Sequence, residues 1–298
     1  MALIKSVAST LSLEPSADVA ILEYRPDFNL GAQDDLPAGT LGVLAGTTRS
    51  RVLLRFDLTP LPSGARVTSA SLRVTVTRTP DEGGANSQFG LHRVLRPWSE
   101  GTQRGGPPGG ALAQTDECTW FLRGPAFEPW AIPGGEPGVD YADDPSSTER
   151  ILGRGAYEFE FGPVELAEIQ AWIDRPDTNF GWMLKTQSEQ VPRSARRFGS
   201  RENSDPGLRP RLNLVFSEAP TPDAPVLLGL ELDPAPPKVH FRAQPGIRYT
   251  LEFSEDPAAR TWRALGPALT TNATSIVTLT DSTPSASLHR FYRVEASP

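Results

Sequence analysis

The 298-residue chain has one cysteine, Cys118, three histidines, His92, His240 and His289, and two methionines. A single thiol excludes an internal disulfide framework and the zinc patterns built on paired cysteines. Histidines this scattered give a histidine-based metal centre little to build on. No run of about 18 apolar residues occurs, so no helical membrane span is encoded. Met1 to Val7 also lacks the basic stretch and long apolar core of a secretory leader. Basic excess is missing too: the formal charge is −7 and the pI about 5.2. That argues against nucleic acid or an anionic membrane as a global partner, because counterion release needs a basic face. A local basic patch remains compatible with it.

Helical periodicity is scarce, whereas Pro and Gly, 30 and 26 residues, punctuate the chain throughout. With 38% hydrophobic residues this composition describes a folded, turn-rich, all-β protein. Period-two alternation marks the strands. In residues 51 to 58, Val52, Leu54, Phe56 and Leu58 share one face while Arg51, Arg55 and Asp57 lie on the other. Ala70, Leu72, Val74 and Val76 repeat the pattern, with Pro60 to Gly64 as the turn between. Further strands fit residues 89 to 94, 156 to 161, 181 to 185 and 211 to 216. One helix is expected over Gly162 to Asp174: Pro163 suits a first turn, and Leu166, Ile169 and Ile173 recur at core spacing. It is placed across one end of a sandwich.

Residues 95 to 150 form a long Gly/Pro-rich excursion holding Trp98, Trp120 and Trp130, and a loop of that length is functional or unstructured. Glu218 to Pro225, rich in proline, reads as a stiff linker. It separates domain 1–217 from 226–298, whose strands at 239–243, 249–254, 275–280 and 290–295 suggest a small immunoglobulin or fibronectin III-like sandwich.

Several ordered segments carry a family resemblance. They are Ser16-Ala17-Asp18, Asn29-Leu30-Gly31, Leu53 to Leu58, Pro62 to Ala65, Ser69 to Leu72, Trp98-Ser99-Glu100, Thr119-Trp120, Trp172-Ile173, Asn179-Phe180-Gly181, Ser200 to Asn203 and Arg209 to Phe216. Over residues 12 to 217 the chain resembles the DNRLRE-domain family. The resemblance implies a jelly-roll β-sandwich of secreted bacterial proteins, related to carbohydrate-binding modules, some of them attached to enzymes acting on alginate. The tail around Tyr249 to Asp256, Thr261 to Leu265 and His289 to Ala296 is similar to a C-terminal module of surface proteins in Verrucomicrobia and Planctomycetes. An extracellular or cell-surface location follows from the resemblance. Related sandwiches often carry a structural Ca²⁺, and Asp18, Asp140, Asp143 and Asp144 are its candidate ligands here.

No nucleophile elbow, paired-histidine zinc helix or phosphate loop is present. Acid pairs such as Asp34-Asp35 and Asp143-Asp144 do not establish the carboxylate separation a glycosidase needs. A non-catalytic role is therefore expected. Arg193, Arg196 and Arg197 are candidates for binding uronate carboxylates or sulfates, which suit the guanidinium fork. Arg201, Glu202 and Asn203 read instead as structural, with Asp205-Pro206-Gly207 as the turn into the last strand. Trp98 and Trp120 read as core. Trp130, flanked by Pro129 and Pro133, reads as exposed, and with Phe127 and Tyr141 it makes a candidate platform for stacking on sugar rings. The favoured reading is a polysaccharide-binding protein with no nucleic-acid partner. Its rival is a filament subunit whose apolar arm, residues 1 to 13, adds a strand to another copy of itself.

Overall fold

The computed structural model describes residues 8–62, 64–80, 85, 87–106, 109–124, 128–217, 225–232, 236–256, 258, 261–283 and 289–297. The chain divides into two compact units, Val7–Ser217 and one containing Glu218–Pro298. Apart from Pro225, the expected linker lies outside the described residues, as does Met1 to Val7 of the arm.

The larger unit is an all-β sandwich with one α-helix among its described residues. Its strands are β1 (Ala8–Leu13), β2 (Ala17–Leu22), β3 (Phe28–Asn29), β4 (Asp35–Thr40), β5 (Arg49–Arg55), β6 (Arg66–Arg78), β7 (Ser87–Arg93), β8 (Ala111–Leu112), β9 (Ser147–Ile151), β10 (Gly155–Glu160), β11 (Trp182–Thr186), β12 (Arg196–Gly199) and β13 (Arg211–Ser217). One layer runs β1-β13-β6-β12-β4, with β10 also on β6. The other runs β4-β5-β11-β7-β9, with β2 also on β5. All the ladders in these two layers are antiparallel.

β4 belongs to both layers: Asp35 to Ala38 pair with β12, while Gly39 and Thr40 pair with β5. Gly39 makes the corner at φ 111°, where a Cβ would stand 2.7 Å from Ala195 Cα. A side chain is excluded there by both backbone conformation and space. Ala8–Leu13 of the arm is a strand on β13 of its own sheet, Leu11 opposite Leu214.

Between the layers lies the core expected from the alternation. Val52, Leu54, Phe56, Ala70, Leu72, Val74, Val76, Phe159 and Leu214 are all buried in it. Helix α1 (Pro163–Asp174) has Pro163 in its first turn, as expected, and buries Ile169 and Trp172, with Leu166 and Ile173 partly buried. Gln170 ties it to the start of β6, accepting from Val67 N and donating to Ala65 O, both at 3.2 Å.

The excursion differs from expectation at its far end and in kind. Its last residues form β9 (Ser147–Ile151), and its described residues between 95 and 142 cover the outer face of β2, β5 and β11. They make a second core there of Val19, Ile21, Leu53, Met183, Trp98, Cys118, Trp120, Trp130 and Tyr141. The face that carries Arg51 and Arg55, opposite Val52 and Leu54, is thus largely an interior. Arg51 is 4% exposed. It donates to Gly134 O at 2.8 Å and pairs with Glu189 through Nε and Nη2, both at 2.8 Å. Its guanidinium also lies 5.5 Å from the Trp120 ring centre and 5.4 Å from that of Tyr141.

The smaller unit holds β14 (Val226–Glu231), β15 (Lys238–Ala243), β16 (Arg248–Ser254), β17 (Arg263–Ala264), β18 (Leu269–Thr270), β19 (Ser275–Thr280) and β20 (Phe291–Ser297). One sheet is β14-β15-β19; the other has β17, β18 and β20 on β16. Phe241, Ala243, Ile247 and Tyr249 form its core.

Because Trp130 is 3% exposed and packed into the second core, Trp130→Ala is expected to lower unfolding stability by about 3–5 kcal/mol. Urea denaturation of the full chain measures this. A loss within about 0.5 kcal/mol, the range of surface substitutions, would remove Trp130 from the core.

Candidate functional site

The candidate ligand residues separate sharply. Trp130 is buried, and its indole Nε1 donates to Thr119 O at 3.0 Å. Tyr141 is buried as well, with Arg51 and Lys185 against its ring. Both therefore correct the expectation of an exposed stacking platform: their rings cover Val19, Ile21 and Leu53 on the outer face of β2 and β5. Phe127 lies outside the described residues.

Arg196 corrects a second expectation. Alternation along β12 sends Arg196 and Phe198 inward and leaves Arg197 half-buried on the other face. The Arg196 guanidinium, 1% exposed, is surrounded by main-chain carbonyls: Ser194 at 3.0 Å, Ala195 at 3.1 Å, Ala85 at 2.6 Å and Leu152 at 3.2 Å. It closes three loops against one another and has no fork left for a ligand. Burial lowers its pKa, and Tyr157 acts against that.

Arg197 and Arg193 remain at the surface. Arg193, exposed, occupies a left-handed φ of 64° in the turn before β12. Arg197 lines a cleft of about 370 Å³ together with Tyr24, Pro37, Leu41, Arg78 and Pro80. Arg78 is its Cα partner across the β6–β12 ladder, so two guanidinium-bearing residues stand side by side at one rim. Tyr24 and the prolines make an apolar floor. Burial raises the Tyr24 phenol, and the positive charges of Arg197 and Arg25 pull it back down. No carboxylate lines this cleft among the described residues. The sequence reading missed Tyr24, Arg78 and Pro80; proximity to Arg197 comes only from strand pairing, and no local signal marks it.

A wider depression of about 940 Å³ lies beside α1, lined by Arg55, Asp57, Trp172, Asp174, Asp177 and Phe180. Two of its acids serve the fold locally. Asp57 accepts from Thr59 N at 3.0 Å, and Asp174 accepts from Gln170 Nε2 at 3.2 Å.

Cys118 and His92 are held inside. Cys118 is fully buried, and burial pushes its thiol up despite the opposing charge of Arg123. His92 is held by Ala142 O and Gln187 Nε2, each at 2.9 Å, and burial lowers its pKa.

The four expected metal ligands do not come together. Asp140 is a loop staple, its Oδ2 accepting from Ala131 N at 2.8 Å and Glu136 N at 2.9 Å. Asp143 and Asp144 are exposed. Asp18, buried on β2, meets two acids that sequence reading did not pair with it, Glu100 and Glu202. Arg201, Glu202 and Asn203 sit in the turn after β12. Asn203 Nδ2 donates to Asp34 O and Asp35 Oδ1, both at 3.1 Å, and Asp205 caps the next turn by accepting from Gly207 N at 2.8 Å.

Glu189 offers a pH test of the layer beneath the excursion. Burial pushes its carboxyl up, but hydrogen bonds and charge from Arg51, with Lys185 and Arg49, outweigh this and hold it below its ordinary 4.5. A depressed folded pKa contributes stability above the unfolded value, lost as pH falls through the folded one. The stability difference between the parent chain and Glu189→Gln is therefore expected to be full at pH 7 and to shrink below pH about 4.5. Paired urea titrations across that range measure it, and a difference independent of pH would exclude the ionised pair. Compared with family models and with curated proteins, the chain matches none of them.

Proposed function

We propose that the chain is a non-catalytic extracellular protein that binds an acidic polysaccharide, bearing uronate or sulfate groups, in the cleft of Tyr24, Arg78 and Arg197. The observation that carries this reading is a cleft in which Arg78 and Arg197, Cα partners across the β6–β12 ladder, stand beside Tyr24, Pro37 and Pro80. Guanidinium forks match carboxylate and sulfate oxygens, and an apolar floor suits the non-polar face of a pyranose. The volume, about 370 Å³, lies at the lower end of small-ligand sites and suits one or two sugar units of a longer chain. The DNRLRE-like segments around this unit support the same class of ligand.

The assembly reading has less support. Ala8–Leu13 completes its own sheet through six residue pairs with β13, from Ala8↔Ser217 to Leu13↔Leu212.

Calorimetric titration with polyuronate and sulfated oligosaccharides tests the proposal. Arg78→Ala and Arg197→Ala are each expected to weaken binding by about tenfold or more, corresponding to loss of one charge-assisted contact. Higher salt should weaken the parent chain but have less effect on the double variant. A neutral glucan should not compete. Equal affinities for the parent and the double variant would place the ligand elsewhere. Absence of binding to every anionic glycan tried would end the reading.

A further inference from the structure

Asp18, Glu100 and Glu202 come from strand β2, from the excursion and from the turn after β12, yet each places a carboxylate oxygen within 4.8 Å of the others. Two oxygens on opposite sides of a Ca²⁺ are about 5 Å apart, given Ca–O distances of about 2.3–2.6 Å. The donor set is all oxygen, which selects a hard cation over zinc or copper.

An acidic cluster alone does not make a site; here the orphaned atoms point to a missing partner. Asp18 is 0% exposed. Its Oδ2 accepts from Arg201 N at 2.8 Å, but its Oδ1 is buried without a hydrogen-bond partner. Glu202 has the same asymmetry: Oε1 pairs with Arg201 Nε at 2.8 Å, and Oε2 is buried and unpartnered. A buried carboxylate oxygen left unpaired is costly, and natural structures rarely tolerate one without an ion, a water or a proton.

Charge points the same way. Arg201 is the only cation paired with the cluster among the described residues, bonding both oxygens of Glu100 at 2.7 and 3.0 Å. With all three carboxylates ionised, the cluster and Arg201 together carry a net charge of −2. Arg55, stacked over the Trp98 ring at 5.1 Å, feels the Glu100 charge but makes no hydrogen bond to it among the described contacts.

The frame around the cluster is already built. Asp18 N donates to Glu100 Oε1 at 2.7 Å, and Asn29 Nδ2 holds the Glu100 carbonyl at 2.7 Å. Access comes from the outer side, where the Glu100 and Glu202 side chains are 16% and 20% exposed.

We infer that Asp18 Oδ1, Glu202 Oε2 and a Glu100 oxygen hold one hard divalent cation of the Ca²⁺ class, with Arg201 as the fixed counter-charge. The ion ties β2, the excursion and the end of β12 to one point. This inference rests on no glycan and stands or falls apart from the binding cleft.

The test uses the full chain, stripped with EDTA and then titrated with CaCl₂ or MgCl₂. Equilibrium dialysis with radioactive calcium is expected to find one ion per chain. Melting is expected to rise by about 5–10 °C when free Ca²⁺ is a hundredfold above Kd. Glu202→Gln should abolish both the dialysis signal and the thermal shift. Should that variant not fold, Asp18→Asn is read in the same way, and the dialysis result on the parent chain stands alone. The competing arrangement is a proton shared between Asp18 and Glu202. It predicts no bound calcium, a melting point indifferent to EDTA, and a Glu202→Gln variant at least as stable as the parent at pH 7; that set of results would overturn the inference. Bound calcium that survives Glu202→Gln would overturn it as well.

Discussion

The larger unit depends on one constraint: the sheet of β2, β5 and β11 carries buried apolar residues on both faces. Ala20, Leu22, Val52, Leu54 and Leu184 point into the sandwich, while Val19, Ile21, Leu53 and Met183 point out of it. A sheet with two apolar faces needs two covers. The opposing layer and α1 supply one, and the excursion supplies the other. Large buried side chains contribute roughly 1.5–3 kcal/mol each. The three tryptophans of the excursion are therefore more useful to the fold as cover than as a sugar platform.

Covering that face brings Arg51 inside, where its charge is answered. Arg51 sits between two aromatic rings and bonds Glu189 and the Gly134 carbonyl. Removing one partner of such a buried pair costs about 3–5 kcal/mol, since the other charge is left stranded. Gly134 reaches this position at φ 88°, where a Cβ would stand 2.5 Å from the Trp120 ring. Arginine thus has two uses in the chain. Arg51 and Arg196 organise carbonyl oxygens in the interior, whereas Arg78 and Arg197 line an open cleft.

Much of the fold was legible because alternating strands announce which face is buried. Residues 51 to 58 and 70 to 77 placed their inward sets correctly, and the helix began at its proline. The strands that escaped sequence reading lack that signal. β2 is buried at every position and so does not alternate; β4 carries Pro37 and Gly39; β12 has four residues, two of them arginines. The sites were less legible. Of the arginines nominated, alternation on β12 separates Arg196 from Arg197, but only with the strand register known. Asp18 was nominated with acids near one another in sequence, while its partners lie 82 and 184 positions away.

From its sequence alone the protein is acidic, poor in cysteine, β-rich and divided near residue 217, with an inward face on each alternating strand. Those properties follow from composition and from the period of a strand, both of which are local. Tertiary structure decided which tryptophans are core, which arginines meet solvent and which carboxylates share one pocket of charge. These are properties of pairing between distant segments. Burial and electrostatic neighbourhood depend on what packs against a residue, and the residue's own neighbours along the chain do not determine that.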